Sequence, residues 1–375
     1  MIIGIPKEIK QDEYRVGITP SGVDLLSSSG HRVLIETGAG IGSGYTDDDY
    51  IASGAEIIKD KVRLFKDSEM IIKVKEPLPS EYKLFKEGQI VFTYFHFSSN
   101  KELTQAMLDR KVISVAYETM ETEKGELPLL APMSEIAGKM AGQLAAQYLD
   151  INRGGSGKLI GGLTGVAPAK IVVIGAGSAG ASAAKICSGM GGDVKLFDIN
   201  IEKLKSLEGH VEKNIHLLYS SPHDLFESIG EADVIIGAVY IPGARAPKII
   251  SRKTVESLKP RTVIIDVCID QGGCIETSRP TTHSDPTFEI GGVVHYCVAN
   301  MPGAFPKTST LALTNATLKY AADIANKGLK RAITEDRVLA KGLNTYLGKV
   351  TCMPVAEAHG LKYFPIEGID IKKAS

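Results

Sequence analysis

The segment Lys170–Asn200, KIVVIGAGSAGASAAKICSGMGGDVKLFDIN, restricts the fold more than any other part of the chain. A β-branched apolar run, Ile171–Ile174, leads into Gly175, Gly177 and Gly180 in G-x-G-x-x-G spacing, and a run of small residues that suits a helix follows. The first glycine permits a tight turn, the second lets backbone approach a pyrophosphate, and the third allows close helix–strand packing with the helix N-terminus facing the anion. A second β-rich run ends at Asp198, roughly twenty residues beyond the first glycine, where a carboxylate binds a ribose 2′-OH and repels a 2′-phosphate. The pattern specifies a dinucleotide-binding βαβ unit that favours NAD over NADP. Lys203 lies close enough in sequence to answer a 2′-phosphate, but the acidic strand end outweighs it.

Around this unit the chain alternates short β-rich runs with helical patterns, the order expected of α/β architecture with parallel sheets. In the first third, strands are expected at Ile2–Ile5, Arg32–Glu36, Met70–Val74, Ile90–Phe95 and Val112–Tyr117, with helices near Ser21–Ser28, Pro79–Lys86 and Lys101–Asp109. A small-residue helix after Pro132 and the glycine-rich stretch Arg153–Lys158 suggest a link between domains. A second series of strands is expected at Ile171–Ile174, Val194–Phe197, Leu217–Tyr219, Val234–Ala238, Val263–Asp266 and Val293–Cys297. The tail from Thr308 reads as helical. The expected fold is α/β, with two Rossmann-like domains, each with a largely parallel sheet, and an active-site cleft between them. Residues 1–130 plus 306–375 would form a discontinuous substrate domain and residues 131–305 the NAD-binding domain.

Composition excludes several functions. The 375 residues carry 43 Lys+Arg against 44 Asp+Glu, so no global positive field exists for nucleic acid. Hydrophobic content of 43% fits a folded globular protein, and charged residues or glycine interrupt every apolar run before it could span a membrane. The N-terminal MIIGIPKEIKQDEYRVG reads as mature structure rather than a secretory signal. Five cysteines, Cys187, Cys268, Cys274, Cys297 and Cys352, show no CxxC pair, which fits neither a disulfide framework nor a common zinc spacing. A cytoplasmic location and no metal are expected.

Three polar residues follow predicted strands: Lys75 after MIIKV, His96 after IVFTYF and Asp270 after VIIDVCI. Ligands in open α/β sheets gather at strand carboxyl ends, so each is a candidate for the site. Taken singly, Lys75 reads as solvated, His96 as a structural histidine and Asp270 as a cap on the Gln271-Gly272-Gly273 turn. Arg15, amid acidic neighbours, reads first as a surface residue, although its guanidinium fork matches a carboxylate.

The blocks GIPKEIKQDEYRVGITP, GAGIGSGYTD, KVKEP, TYFHF, APMSEIAGKMAGQ, IDQGGCIETSRPTTHSDPTF and HYCVANMPGAFPKTSTLALTNAT extend over essentially the whole chain. Through them the sequence resembles the bacterial NAD-dependent L-alanine dehydrogenases. The resemblance implies reversible oxidative deamination of L-alanine to pyruvate and ammonium. It implies that Arg15 and Lys75 hold the substrate carboxylate and that His96 and Asp270 are the acid/base pair. It also implies NAD contacts from Ser134, from Ser178 and Ala179 in the glycine loop, from Asp198, Lys203 and Ser220, and from Val239 and Tyr240. Further implied contacts come from Val267, Cys268, Ile269 and Asp270, from Arg279, and from Val298, Ala299, Asn300 and Met301. A homo-oligomer, commonly a hexamer, is implied as well. Cys268 among the contacts implies sensitivity to thiol reagents. Two relatives of the family, the nucleotide-binding subunit of proton-translocating transhydrogenase and enzymes acting on saccharopine, share the expected fold, and a non-catalytic NAD(H) sensor is a further alternative. The polar set Arg15, Lys75, His96 and Asp270 argues for an amino-acid dehydrogenase.

Overall fold

The structure is a computed structural model that describes residues 1–241 and 246–366. Residues 242–245 and 367–375, which fall within the expected segments 131–305 and 306–375, lie outside the described residues. The chain divides into two compact units, one formed by Met1–Met133 with the chain from Gly303 onward, the other by Ser134–Pro302.

Among the described residues fifteen strands build two sheets. In chain order they are β1 Ile2–Ile5, β2 Arg32–Glu36, β3 Glu56–Ile58, β4 Met70–Ile72, β5 Ile90–Thr93, β6 Ile113–Ala116, β7 Lys170–Ile174 and β8 Asp193–Asp198. There follow β9 Ile215–Tyr219, β10 Val234–Gly237, β11 Val263–Asp266, β12 Thr287–Ile290, β13 Val293–Tyr296, β14 Leu343–Tyr346 and β15 Lys349–Val350. The first unit holds the sheet β15-β14-β6-β5-β4-β1-β2-β3 and the second the sheet β12-β13-β11-β10-β7-β8-β9. Central strands such as IVFT and VIID are buried along their whole length, as parallel strands covered on both faces must be.

In the first unit β1 through β6 pair in parallel, and the late strands β14 and β15 extend the sheet antiparallel from β6. Its core gathers Phe65, Ile71, Phe85, Val91, Phe95 and Met107. Helix starts are set by side-chain caps: Thr19 accepts from the Gly22 N–H and Asn100 from the Leu103 N–H. The helix Pro306–Lys327 returns to this unit, where Thr310 Oγ1 accepts the Val16 N–H at 3.2 Å.

In the second unit β7 lies between β8 and β10, so β8 and β9 are wound to one side of it and β10, β11 and β13 to the other. That reversal leaves a crevice at the carboxyl ends of β7 and β10. The helix Ala131–Tyr148 packs on the helix Ser178–Gly189 through glycines: a Cβ on Gly138 would stand 2.0 Å from the Ala179 carbonyl oxygen, and one on Gly142 would stand 2.6 Å from Ile186.

Several local expectations change. The helix expected over Pro79–Lys86 is a single 3-10 turn at Tyr82–Leu84, because Glu81 is buried, where it accepts from Lys73 and from the Leu78 N–H. Strands β3, β12, β14 and β15 are not among the expected ones; β3, β12 and β15 lie at sheet edges, and β14, buried along its length, reads LNTY with polar residues at its centre. The tail is helical only in part, since β14 and β15 interrupt it. The glycine-rich stretch Arg153–Lys158 does not separate the units: Gly155 is so closely packed that a Cβ there would meet the Tyr148 carbonyl oxygen at 2.0 Å.

Candidate functional site

In the first unit, Arg15, Lys75 and His96 follow the carboxyl ends of β1, β4 and β5, three strands that are neighbours in the sheet. Arg15 is not a surface residue but is only 2% exposed. Its guanidinium lies fork to fork with Glu13, Nε donating to Oε1 at 2.7 Å and Nη2 to Oε2 at 2.6 Å. Nη1 points to the Met133 sulfur at 3.1 Å. Burial alone would lower the Arg15 pKa, but Glu13 outweighs it, so the group stays cationic. Arg15 also lines a concavity of about 370 Å³ with Glu8, Glu13 and Gly42.

Lys75 is likewise buried rather than solvated. Its backbone is fixed from two sides: the N–H donates to Glu8 Oε1 at 3.3 Å and the carbonyl accepts from Thr93 at 3.0 Å. Glu8 also takes the Val74 N–H and pairs with the buried Lys73, which bridges to Glu81 at 3.2 Å. One carboxylate therefore anchors the β4 end and neutralises a buried ammonium. Burial works to raise the pKa of Glu76, but Lys75, Lys10 and His96 hold it below the ordinary carboxylate range.

His96 adopts a left-handed backbone conformation, with φ 53° and ψ 40°. Such a turn costs about 1–3 kcal/mol for a residue with a side chain and needs local support. Glu118 provides it, accepting the His96 N–H at 2.6 Å and the Phe95 N–H at 3.1 Å. The imidazole is exposed and lies parallel to the Tyr94 ring, centroids 6.0 Å apart. Tyr94 in turn influences Arg15 electrostatically, as His96 influences Glu76, so the three expected residues share one electrostatic neighbourhood.

In the second unit the glycine loop has the geometry expected of a dinucleotide cradle. Gly175 has φ +103° and a Cβ there would collide with the Ala238 carbonyl oxygen at 2.5 Å; a Cβ on Gly180 would stand 1.7 Å from the Gly175 oxygen. A Cβ on Gly177 would meet nothing within 4 Å, so the loop is open on the side where backbone would approach a pyrophosphate. Asp198 is clamped by the Ala176 and Asn200 N–H groups, both at 2.8 Å, which holds its carboxylate against the loop. The residues present fit a dinucleotide with a free ribose 2′-OH.

Every other expected contact in this unit but two lies at the same sheet edge. Ser178 and Ala179 begin the helix after β7; Ser220 follows β9, its N–H bonded to the Asp198 carbonyl at 3.0 Å; Val239 and Tyr240 follow β10. Lys203 is exposed on the helix after β8. Val267, Cys268, Ile269 and Asp270 follow β11, and Val298, Ala299, Asn300 and Met301 follow β13. The Asn300 N–H donates to Asp270 Oδ2 at 3.2 Å, tying those two strand ends together. Ser134 stands apart in the helix Ala131–Tyr148, one turn before Gly138. Arg279 lies in the loop before β12, its guanidinium 4.3 Å from the Phe288 ring centroid.

Sequence reasoning missed Glu8, Glu13, Glu76, Tyr94 and Glu118. Glu8 and Glu118 are distant in sequence from the groups they hold, and Glu13, Glu76 and Tyr94, although within two residues of Arg15, Lys75 and His96, carry no motif that marks them.

Residues 4–137 match the family model described as "Alanine dehydrogenase/PNT, N-terminal domain", and residues 141–353 the corresponding C-terminal domain. An alanine dehydrogenase of Methanococcus maripaludis is 53% identical over 368 residues, covering 98% of this chain and 99% of that protein. A solved structure titled L-alanine dehydrogenase superposes with a TM-score of 0.91 at 46% identity, covering 96% of this chain and 99% of that one. A transhydrogenase structure from Sinorhizobium meliloti, 24% identical, covers 93% of this chain and all of its own with a TM-score of 0.81, a likeness of fold. On these matches over nearly its full length, the chain belongs to the alanine dehydrogenase/PNT family.

Proposed function

We propose that the chain is an NAD-dependent L-alanine dehydrogenase, converting L-alanine, NAD⁺ and water reversibly to pyruvate, ammonium, NADH and a proton. The observation that carries this reading is the buried pair of cations with an exposed imidazole at the β1, β4 and β5 ends. A carboxylate-bearing substrate that must exchange protons needs such a set, whereas hydride exchange between two nucleotides does not.

When bound, NAD accepts the hydride from the substrate Cα. Arg15, oriented by Glu13, and Lys75 hold the substrate carboxylate and fix the direction of the Cα–H bond; such positioning supplies about 7–11 kcal/mol of barrier lowering in favourable cases. His96 passes protons as water adds to the iminium carbon and ammonia leaves, a role suited to an imidazole held by its backbone with its ring exposed. Asp270 activates the attacking water and balances the cationic iminium. Asp198 accepts the ribose hydroxyl, and the other named residues of the strand-end loops, with Ser134 and Arg279, line the nucleotide. No helix among the described residues is long and apolar enough to cross a membrane. A homohexameric assembly and a cytoplasmic location belong to the proposal through the family resemblance.

The test is the absorbance of reduced nicotinamide with purified protein, in both directions. Turnover of L-alanine with NAD, and of pyruvate only when ammonium is present, is the expected result. His96→Ala and Asp270→Asn should each lose about 10²-fold or more in turnover while still binding NADH. Tight NADH binding without turnover of L-alanine would overturn the reading in favour of a sensor or nucleotide-exchange role.

A further inference from the structure

The end of β11 carries a second cluster, of which Cys268 is also an expected nucleotide contact while Asp266 and Cys274 have no part in the reaction. Asp266 is 1% exposed, Cys274 0% and Cys268 9%, and one donor atom from each lies within 4.8 Å of the others. Cys268 Sγ is 3.1 Å from Asp266 Oδ1 and 3.7 Å from the Gly237 carbonyl oxygen, and Cys274 Sγ is 3.9 Å from Asp266 Oδ1. Asp266 pairs with no cation among the described residues; its backbone partners are the Cys274 and Ile275 N–H groups, at 3.4 and 3.3 Å.

The three sulfur–oxygen spacings are those of tetrahedral edges, and the three side-chain donor atoms lie within 4.8 Å of one another. With Zn–S near 2.3 Å and Zn–O near 2.0–2.2 Å, tetrahedral angles separate a sulfur from an oxygen by about 3.6 Å. The observed sulfur–oxygen edges of 3.1, 3.7 and 3.9 Å bracket that value. Two glycines keep the space open: a Cβ on Gly237 would stand 2.4 Å from Cys274 Sγ, and one on Gly273 would stand 2.5 Å from Asp266 Oδ2. We infer that Cys268, Cys274 and Asp266, with the Gly237 carbonyl at the fourth corner, form a binding site for a soft divalent cation such as Zn²⁺. The ion displaces both thiol protons, its two charges balance the two thiolates, and it ligates a carboxylate that otherwise has only neutral partners, so the site keeps its net charge of −1. D-x-C-x₅-C is not a common zinc spacing, so the cluster is not legible as a motif.

The site lies directly behind the Val267–Asp270 loop, so its occupancy pins the segment that carries Asp270. The test begins with reduced full-length protein loaded with one equivalent of ZnCl₂ and passed through a desalting column, with retained zinc measured. About one ion per chain is expected for the wild type and for Cys187→Ser, a control thiol buried elsewhere in the unit. Cys274→Ser and Asp266→Asn should each bind at least tenfold more weakly. Loading the wild type with Co²⁺ should give thiolate-to-metal charge-transfer absorption and the visible bands of a tetrahedral ion, a readout that needs no variant to fold. The inference fails if the wild type retains no zinc, if the Co²⁺ spectrum lacks thiolate bands, or if folded Cys274→Ser retains zinc as the wild type does. A further arm rests on the proposed function: Zn²⁺ should lower alanine turnover in the wild type and spare Cys274→Ser. Because metal retention is read without turnover, failure of the dehydrogenase reading leaves the site's own test intact.

Discussion

Gly177→Ala and Gly180→Ala are chemically identical changes three residues apart, and the structure assigns them different consequences. At Gly180 the new Cβ would stand 1.7 Å from the Gly175 carbonyl oxygen, whereas real Cβ contacts essentially never fall below 3.0 Å. The helix Ser178–Gly189 or the β7 turn must therefore move by more than an ångström. Overpacking of this kind costs about 1–3 kcal/mol. At about 2–4 °C per kcal/mol for a unit of this size, the melting temperature should fall by about 2–12 °C. NADH affinity should fall as well, because the displaced helix N-terminus and loop are the elements that would face the pyrophosphate in the proposed nucleotide site. At Gly177 the new methyl meets nothing within 4 Å, so stability should stay within about 0.5 kcal/mol of wild type. The methyl nevertheless occupies the approach to the pyrophosphate, and NADH binding should weaken about tenfold or more. Thermal unfolding without ligand and titration of NADH fluorescence separate the two effects; the chain has no Trp, so no indole emission interferes. A Gly177→Ala variant that binds NADH like the wild type, or a Gly180→Ala variant of unchanged stability, would refute the cradle geometry.

Asp198→Ala should weaken NAD by about tenfold to a hundredfold, the loss of a hydrogen bond to a charged group, and weaken NADP much less; an unchanged NAD:NADP ratio of kcat/KM would show that another residue sets the preference. Glu13→Ala leaves the Arg15 guanidinium buried without its carboxylate and should cost about 3–5 kcal/mol in denaturant unfolding, with Glu13→Gln costing less because an acceptor remains. Equal stability of Glu13→Ala and wild type would exclude the pair as a structural anchor. His295 is buried, Nδ1 donating to the Val293 carbonyl and Nε2 accepting from Thr277, and burial lowers its pKa against the opposing influence of Val293 and Asp266. The folded state then binds fewer protons than the unfolded one. This contribution to stability is complete above pH about 6.5 and is lost as the pH falls through the lower folded pKa. Urea midpoints at pH about 7.5 and 5.5 should accordingly differ more for the wild type than for His295→Gln, and an equal difference would show that other groups govern the acid sensitivity.

The elements that could be read directly were those whose pattern is local. The β1, β2 and β11 runs and the helix Lys101–Asp109 have the expected bounds, because a buried parallel strand shows as a compact β-branched apolar run closed by a polar residue or turn, and a capped amphipathic helix declares its start and period. The G-x-G-x-x-G loop with Asp198 is also local, since turn, helix start and strand end all fall within one βαβ unit. The short strands β3, β12, β14 and β15 were not legible, because pairing with a neighbour, rather than their own periodicity, makes them strands. Pro79–Lys86 shows the opposite error: its pattern suits a helix, but the demand of the buried Lys73 for Glu81 holds the segment in a single turn.

The candidate site divides in the same way. The sequence alone determined the parallel α/β framework, the dinucleotide cradle and the strand-end positions of Lys75, His96 and Asp270, because each depends on residues near one another along the chain. Only the tertiary structure decided that Arg15 is buried against Glu13, that Glu8 fixes the backbone at Lys75 while neutralising Lys73, that Glu118 holds His96 in a left-handed turn, and that Asp266 faces two thiols. Charge burial and hydrogen-bond satisfaction are settled by which groups the fold buries together: Glu8 and Glu118 lie tens of residues from the groups they hold, and Glu13 and Asp266, close in sequence to Arg15 and to the two cysteines, become buried partners only in the folded units.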